Sequence, residues 1–317
     1  MNQNEVIESH IPDLQKTPAA GDPSGMDHSQ KLQLDQVIVV NDLSGFGRCS
    51  IAVQLPVLSV MKAECLLMPT ALLSNHTAYP SFYVRDLSED LDPWIREWQK
   101  LPIHPSAILT GYLGNASQVE ELFRLADLFD KEDCLLIVDP VMGDDGSKYS
   151  SITDAHLESM KKLARKADLI TPNTTEACLL CGMEWQEAWD QASLETLIEA
   201  LQNQGYPSRM IITGIRLGDG RLGDAIIEGI KTTYRFFQQR YPSRPGTGDL
   251  FSAVVCGSLL QGDTLVRAVA RAQDFIQAAL AATERYNVPA QEGCAFEAVL
   301  GRLIDACLPG EVNKVKK

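Results

Sequence analysis

The chain has 317 residues, 45% of them apolar and 22% charged, with a formal net charge of −14. That length is enough to bury one large α/β domain or two small ones, while the acidic balance argues against nucleic-acid binding, which needs a basic face. Apolar runs are too short to cross a bilayer and no basic, then apolar leader opens the chain, so the expectation is a cytoplasmic protein with no membrane partner.

Residues 1–33 are polar and include Gly21-Asp22-Pro23-Ser24-Gly25, which reads as a flexible N-terminal tail. A single domain is expected over 34–308, followed by a C-terminal tail over 309–317. The pattern predicts a strand over 36–40, a turn over 41–48, a helix over 50–61 and a strand over 64–68. A helix over 91–99, a strand over 107–110, a helix over 117–129 and a strand over 135–139 follow. Next come a helix over 152–164, a strand over 169–170, helices over 175–181 and 194–204, and a strand over 210–213. Segments 225–227 and 231–237 read as an antiparallel pair, a small edge or flap, before helices over 247–260, 263–286 and 295–306. Alternating strands and helices, with short strands apolar on both sides, predict an α/β fold with a largely parallel central sheet covered by helices on both faces. In such sheets ligands sit beyond the carboxyl ends of the strands.

The eight cysteines lie mostly in apolar segments and read as buried thiols. Cys178 and Cys181 form a lone C-x-x-C with no second pair to complete a zinc site, and core packing explains them.

The strand ends carry the unusual residues. Gly246-Thr247-Gly248-Asp249 precedes an apolar helical run. A glycine turn opening a helix aims free N–H groups and the positive dipole end at one point, and Asp249 beside it can take a proton from an attacking hydroxyl. Anion hole plus carboxylate suits phosphoryl transfer to an alcohol; a helix start with an acidic first turn explains the same residues. Asn41-Asp42-Leu43-Ser44-Gly45-Phe46-Gly47 suits close approach of a hydroxylated ligand, or is a plain strand-to-helix turn. Ser74-Asn75-His76-Thr77 suits a polar heteroaromatic ring, or is a solvated loop. Tyr112, in Thr110-Gly111-Tyr112, can stack on an aromatic substrate. Asp139 and Asp144 flank a Pro/Gly turn and can converge on a metal-bound triphosphate. In Thr171-Pro172-Asn173-Thr174-Thr175-Glu176, Asn173 and Glu176 have capping-box spacing, or hold metal-bound waters and phosphates. Thr213-Gly214 ends a strand where nucleotide phosphates can lie.

Taken together, Gly246-Thr247-Gly248-Asp249, Asp139-Pro140-Val141 and Thr171-Pro172-Asn173-x-x-Glu176 resemble the vitamin-kinase branch of the ribokinase-like family, over roughly residues 35–306. Ser74-Asn75-His76-Thr77 and Thr110-Gly111-Tyr112 resemble pyridoxal kinases in particular. The resemblance implies an ATP- and Mg²⁺-dependent kinase that phosphorylates the 5′-hydroxymethyl group of pyridoxal, pyridoxine or pyridoxamine, and a homodimer; it leaves a monovalent cation open. It implies Asp249 as base, with Gly246, Thr247 and Gly248 as the anion hole, and Asp42, Ser44, Asn75, His76, Thr77 and Tyr112 around the substrate. Asp139, Asp144, Tyr149, Asn173 and Thr213 fall on the ATP side, and Asp144 and Glu176 near the metal. The Asn41–Gly47 segment departs from the pattern: it is more similar to the opening of hydroxymethylpyrimidine kinases, which would put Asp42 directly on the substrate ring. A hydroxymethylpyrimidine kinase and a non-catalytic vitamer-binding protein are the alternatives.

Overall fold

The computed structural model describes residues 34–129 and 133–304; the expected tails over 1–33 and 309–317 lie outside the described residues. In chain order the elements are β1 (Asp35–Ser44), α1 (Ile51–Val60), β2 (Ala63–Leu73), β3 (Val84–Asp86), α2 (Ser88–Trp98), β4 (Pro105–Thr110), α3 (Ala116–Asp127) and β5 (Leu135–Val138). Then follow β6 (Gly143–Asp144), β7 (Ser147–Lys148), α4 (Asp154–Lys166), β8 (Leu169–Ile170), α5 (Thr174–Cys181) and α6 (Gln191–Asn203). The rest are β9 (Arg209–Arg216), β10 (Arg221–Glu228), β11 (Lys231–Gln238), α7 (Thr247–Leu260), α8 (Leu265–Arg285) and the short α9 (Gly301–Ile304).

Among the described residues nine strands form one sheet in the order β11-β10-β9-β8-β5-β4-β1-β2-β3. The run from β2 to β9 is parallel, with antiparallel strands at both edges. The two-residue side-chain period of a strand sorts its apolar residues onto opposite faces. Val37 and Val39 of β1 join Leu109, Ile137 and Ile211 under α1, α7 and α8. Ile38 and Val40 join Ile108, Leu136, Val138 and Ile212 under α2 to α6. Both faces are therefore buried, which is why the central strands are apolar throughout. No described helix is long and apolar enough to cross a membrane.

Helix starts follow side-chain chemistry. Asn115, Thr153, Asn173, Asp190 and Thr264 each accept a first-turn N–H and cap α3, α4, α5, α6 and α8. The helices α1 at Ser50, α2 at Leu87 and α7 at Gly246 start with no side-chain cap, the last with φ 80°.

Four expectations are corrected. The turn over 41–48 starts late, because β1 runs on to Ser44; its register against β2 slips between Asn41 and Leu43, and buried polar partners keep Asn41, Asp42 and Ser44 in the strand. The segment after Met68 is strand as far as Leu73, with Thr70 buried and donating to the Tyr112 carbonyl. A hairpin, β6–β7, occupies what reads as a Pro/Gly turn; Asp145 and Gly146, at φ 45° and 77°, supply the two left-handed residues of a tight turn. The last helix is instead a 3₁₀ turn at Phe296–Val299 followed by α9. The antiparallel pair expected near 225–237 is β10–β11, at the sheet edge.

Candidate active site

The carboxyl ends of β1, β4, β5, β8 and β9 and the mouth of α7 bring most of the sequence-derived residues to one end of the sheet. Gly246 is required there: a Cβ on it would lie 2.0 Å from the Arg48 carbonyl oxygen, in a left-handed conformation. Thr247 donates its hydroxyl to the Arg244 carbonyl at 3.0 Å and fixes the turn. A Cβ placed on Gly248 would meet only Asp139 Oδ2, at 4.0 Å, so the mouth of α7 is open and adjoins Asp139. An uncapped helix start of this kind presents its first N–H groups to an anion.

Asp249 is held on both oxygens. Ser50 N–H donates to Oδ2 at 2.7 Å and Asn41 Nδ2 to Oδ1 at 3.0 Å. Burial pushes its carboxyl up to about 6 against those donors, and the Asp42 charge adds to the rise. Asn41 is itself locked. Its amide also donates to Gln54 Oε1 at 3.0 Å, and its Oδ1 accepts the N–H groups of Asp42 and Tyr112 at 2.9 and 2.8 Å. With two donors and two acceptor sites in use, the amide has one orientation. Gly111 makes room for it, since a Cβ there would come within 2.2 Å of Asn41 Nδ2.

Asp42 is buried and accepts the Ser50 hydroxyl at 2.5 Å and the Ser44 hydroxyl at 3.1 Å. Burial raises its carboxyl and those hydroxyls oppose the rise. Ser50 thus bridges Asp42 and Asp249, and does so at φ 54°, a conformation that non-glycine residues adopt at a cost.

The other half of the site is built on main chain. Glu176, buried, accepts Met142 N–H at 3.1 Å and Asn173 N–H at 2.8 Å. Asn173 completes the capping box and donates its amide to the Gly143 carbonyl at 2.8 Å. Capping box and site residues are therefore the same residues. Asp139 is buried beside Glu176: burial raises the Glu176 carboxyl well above the ordinary range and the Asp139 charge adds to it, while Asp139 is itself raised by burial and then by the Asp249 charge, against the Thr171 hydroxyl. Asp144 is exposed on the β6–β7 hairpin, and Tyr149 leans over this acidic group: burial and the charges of Asp144, Glu176, Asp139 and Asp249 all raise its phenol. Thr213 N–H bonds the Pro172 carbonyl at 2.9 Å and pairs with Asn173, which ties the end of β9 to the same cluster.

The loop after β2 is packed differently from the expectation of a free polar reader. His76 bonds the Gln291 carbonyl through Nε2 and accepts Ala78 N–H at 3.2 Å on Nδ1, so both ring nitrogens are spent on main chain. Its ring fills the space over Gly47, where a Cβ would lie 2.1 Å from Cδ2. Asn75 donates to Ser81 O at 2.9 Å within its own loop, and Thr77 is exposed. Tyr112 is half-buried, its main chain fixed by Asn41 and Thr70. Sequence reasoning passed over Asn41, Ser50 and Gly111. A polar residue and a glycine at adjacent strand ends were visible signals for Asn41 and Gly111; Ser50 reads as an ordinary helix start.

Among the described residues no three His, Cys, Asp or Glu side chains close on one point to cage a metal. The donor set nevertheless fits a hard divalent ion that keeps most of its water: the Asp139 charge presses on Glu176 and the Asp249 charge on Asp139, and no Lys or Arg is among the groups that shift them. The C-x-x-C is ordinary core, with Cys178 bonding the Glu184 carbonyl at 3.7 Å and burial pushing its thiol up to about 12.

Residues 99–294 match the family described as phosphomethylpyrimidine kinase. The chain is 31% identical over 259 residues to the pyridoxine/pyridoxal/pyridoxamine kinase of Bordetella avium, covering 79% of this chain and 86% of that one. It is 35% identical over 175 residues to the hydroxymethylpyrimidine/phosphomethylpyrimidine kinase of Haemophilus influenzae, covering 54% and 63%. The pyridoxal kinase structure from Lactobacillus plantarum superposes with a TM-score of 0.79 at 32% identity, covering 86% of this chain and 98% of that one. A Bacteroides thetaiotaomicron structure assigned as a phosphomethylpyrimidine kinase, and solved with pyridoxal, gives 0.81 at 35%, covering 88% and 98%.

Proposed function

The chain belongs to the phosphomethylpyrimidine kinase family, and from that premise we propose that it transfers the γ-phosphoryl group of ATP to the 5′-hydroxymethyl group of a B6 vitamer. The observation that carries the reading is Asp249, held on both oxygens at the open mouth of α7 beside Asp139. Its carboxyl, pushed up to about 6, is ionised at neutral pH yet basic enough to accept the proton of an attacking alcohol. Gly246, Thr247 and Gly248 form the cradle for the transferring group, where oriented N–H groups stabilise developing charge. Asp42 and Ser44, with Tyr112, His76, Asn75 and Thr77 around them, form the acceptor side. Asp139, Asp144, Tyr149, Asn173 and Thr213 form the nucleotide side.

Mg²⁺ would be held through water by Glu176 and Asp144, and would supply the positive charge that the phosphates and the buried carboxylates lack. The protein's own share of catalysis is positioning, exclusion of water and one proton transfer. A homodimer is part of the reading, checked by sedimentation.

The test is ATP consumption with Mg²⁺, in K⁺ or Na⁺, over pyridoxal, pyridoxine, pyridoxamine, hydroxymethylpyrimidine and ribose. Turnover highest on a B6 vitamer supports the reading. The buried Asp42 in a segment similar to that of hydroxymethylpyrimidine kinases favours a second reading, and preference for the pyrimidine would select it. Ligand binding with no turnover would leave only a vitamer-binding protein.

A further inference from the structure

The sequence Gly223-Asp224-Ala225 places an acid in the middle of β10, where the alternation calls for an apolar side chain, and Asp224 is 6% exposed. The register explains its place. Gly223 pairs with Ile215 and Ala225 with Ile212, so Thr213 and Gly214 of β9 together oppose Asp224 in a bulge, with Gly214 at φ 70°. Asp224 Oδ1 accepts the Gly214 N–H at 3.3 Å and Oδ2 accepts Gln273 Nε2 at 2.7 Å.

Gln273, buried on α8, has no freedom to turn its amide. Its Oε1 accepts Arg235 Nε, while its Nε2 also donates to the Arg235 carbonyl at 3.1 Å. Arg235 is in turn held by Asp274 at 2.8 Å. The polarity of the whole chain is therefore set from the surface inward, and the last member must accept on both oxygens, which only a carboxylate does. Burying a carboxylate against neutral donors is expensive. An apolar residue would bury at less cost, so the place of the acid is explained by what it holds.

What it holds is the Thr213-Gly214 turn. Pro172 fixes that turn from β8 and Asp224 fixes it from β10. We propose that Asp224 is a positioning residue for the nucleotide: it acts through Gly214 to set the Thr213-Gly214 turn against which the ATP phosphates lie. The proposal rests on the kinase reading, and on Thr213 being on the nucleotide side.

The test compares Asp224→Asn with wild type. The isosteric amide keeps an acceptor for Gly214 but turns a donor onto Gln273 Nε2, so the turn shifts while the fold survives. The KM for ATP and the Kd for ADP by calorimetry are expected to rise about 5- to 20-fold, the scale on which the neutral and charged hydrogen-bond ranges meet. The KM for the vitamer and kcat stay within about twofold, on the same reasoning that only the nucleotide side is disturbed. An unchanged KM for ATP or equal losses for both substrates would each overturn the assignment. Wild type that binds no nucleotide would instead bring down the kinase reading, and this proposal with it.

Discussion

The two halves of the proposed site, acceptor and nucleotide, are built from different materials. On the acceptor half, side chains hold side chains: Asn41 uses all four of its amide bonding positions, Ser50 ties Asp42 to Asp249, and Ser44 bonds Asp42. On the nucleotide half, Glu176 is satisfied by main-chain N–H groups and faces Asp139 across an uncompensated charge. The first arrangement sets one carboxylate in one orientation and keeps its proton affinity moderate. The second leaves negative charge for something mobile to neutralise. A base must be fixed before the substrate arrives, whereas a metal–phosphate complex brings its own charge, and the two halves are divided along that line.

The sharpest way to break this division is Asp249→Asn. The amide keeps the shape but takes no proton, so kcat is expected to fall about 10²–10⁴-fold. The Kd for ATP, which belongs to the other half, should stay within about threefold, since that variant touches no nucleotide contact. Turnover near wild type would remove Asp249 from the mechanism and leave the acceptor half as scaffold alone.

Ser50 tests the side-chain mesh at a finer grain. Ser50→Gly and Ser50→Ala both lose the hydroxyl on Asp42, and both keep the N–H on Asp249. The KM for the vitamer should therefore rise about tenfold in each, the scale of a lost hydrogen bond to a charged group, while kcat changes far less. Only glycine relaxes the φ of 54°, so Ser50→Gly should melt above Ser50→Ala by about 2–4 °C, corresponding to about 1 kcal/mol of backbone strain. A large loss of kcat in Ser50→Gly would mean that the hydroxyl, not the N–H, orients the base.

The same contrast governs what could be read in advance. The parallel sheet was legible because each central strand is apolar on both faces, and α7 because Gly246 and Asp249 mark its start. Glu176 and Asn173 were legible because the capping box is a local pattern four residues long. Asn41, Ser50 and Asp224 were not, because their meaning lies in partners 199, 208, 10 and 49 positions away in sequence. The extra length of β1 was hidden for a related reason: Asp42 and Ser44 look like turn residues until Asp42 is seen to accept the hydroxyls of both Ser44 and Ser50. Asp145-Gly146 carried a local hairpin signal that the flanking two-residue strands were too short to support.

The pH dependence sharpens the account of the base. Asp249 must be ionised to accept a proton, so kcat/KM is expected to fall about tenfold per unit below a limb near 6, as for a single essential base. The Asp42 charge contributes to the rise, so Asp42→Asn should move that limb to lower pH while weakening the vitamer. A limb that stays put would show that burial alone sets the basicity of Asp249.

The smallest expected effect is on stability, and it bears on the nucleotide half. Asp139 binds its proton more tightly in the folded chain than in the unfolded one, because burial and the Asp249 charge both disfavour its own charge. Ionising it therefore opposes folding, starting above the ordinary aspartate range and growing until the pH passes its raised folded value. Asp139→Asn carries no charge at any of these pH values. Without nucleotide or Mg²⁺, the variant should melt close to wild type at pH 5 and about 2–6 °C above it at pH 8, a gain of about 1–2 kcal/mol. Adding Mg²⁺ and ADP should narrow or reverse the gap, since the wild-type carboxylate then meets the charge it lacks. A gap that stayed flat from pH 5 to 8 would place the countercharge inside the protein, and the two halves of the site would then be built alike.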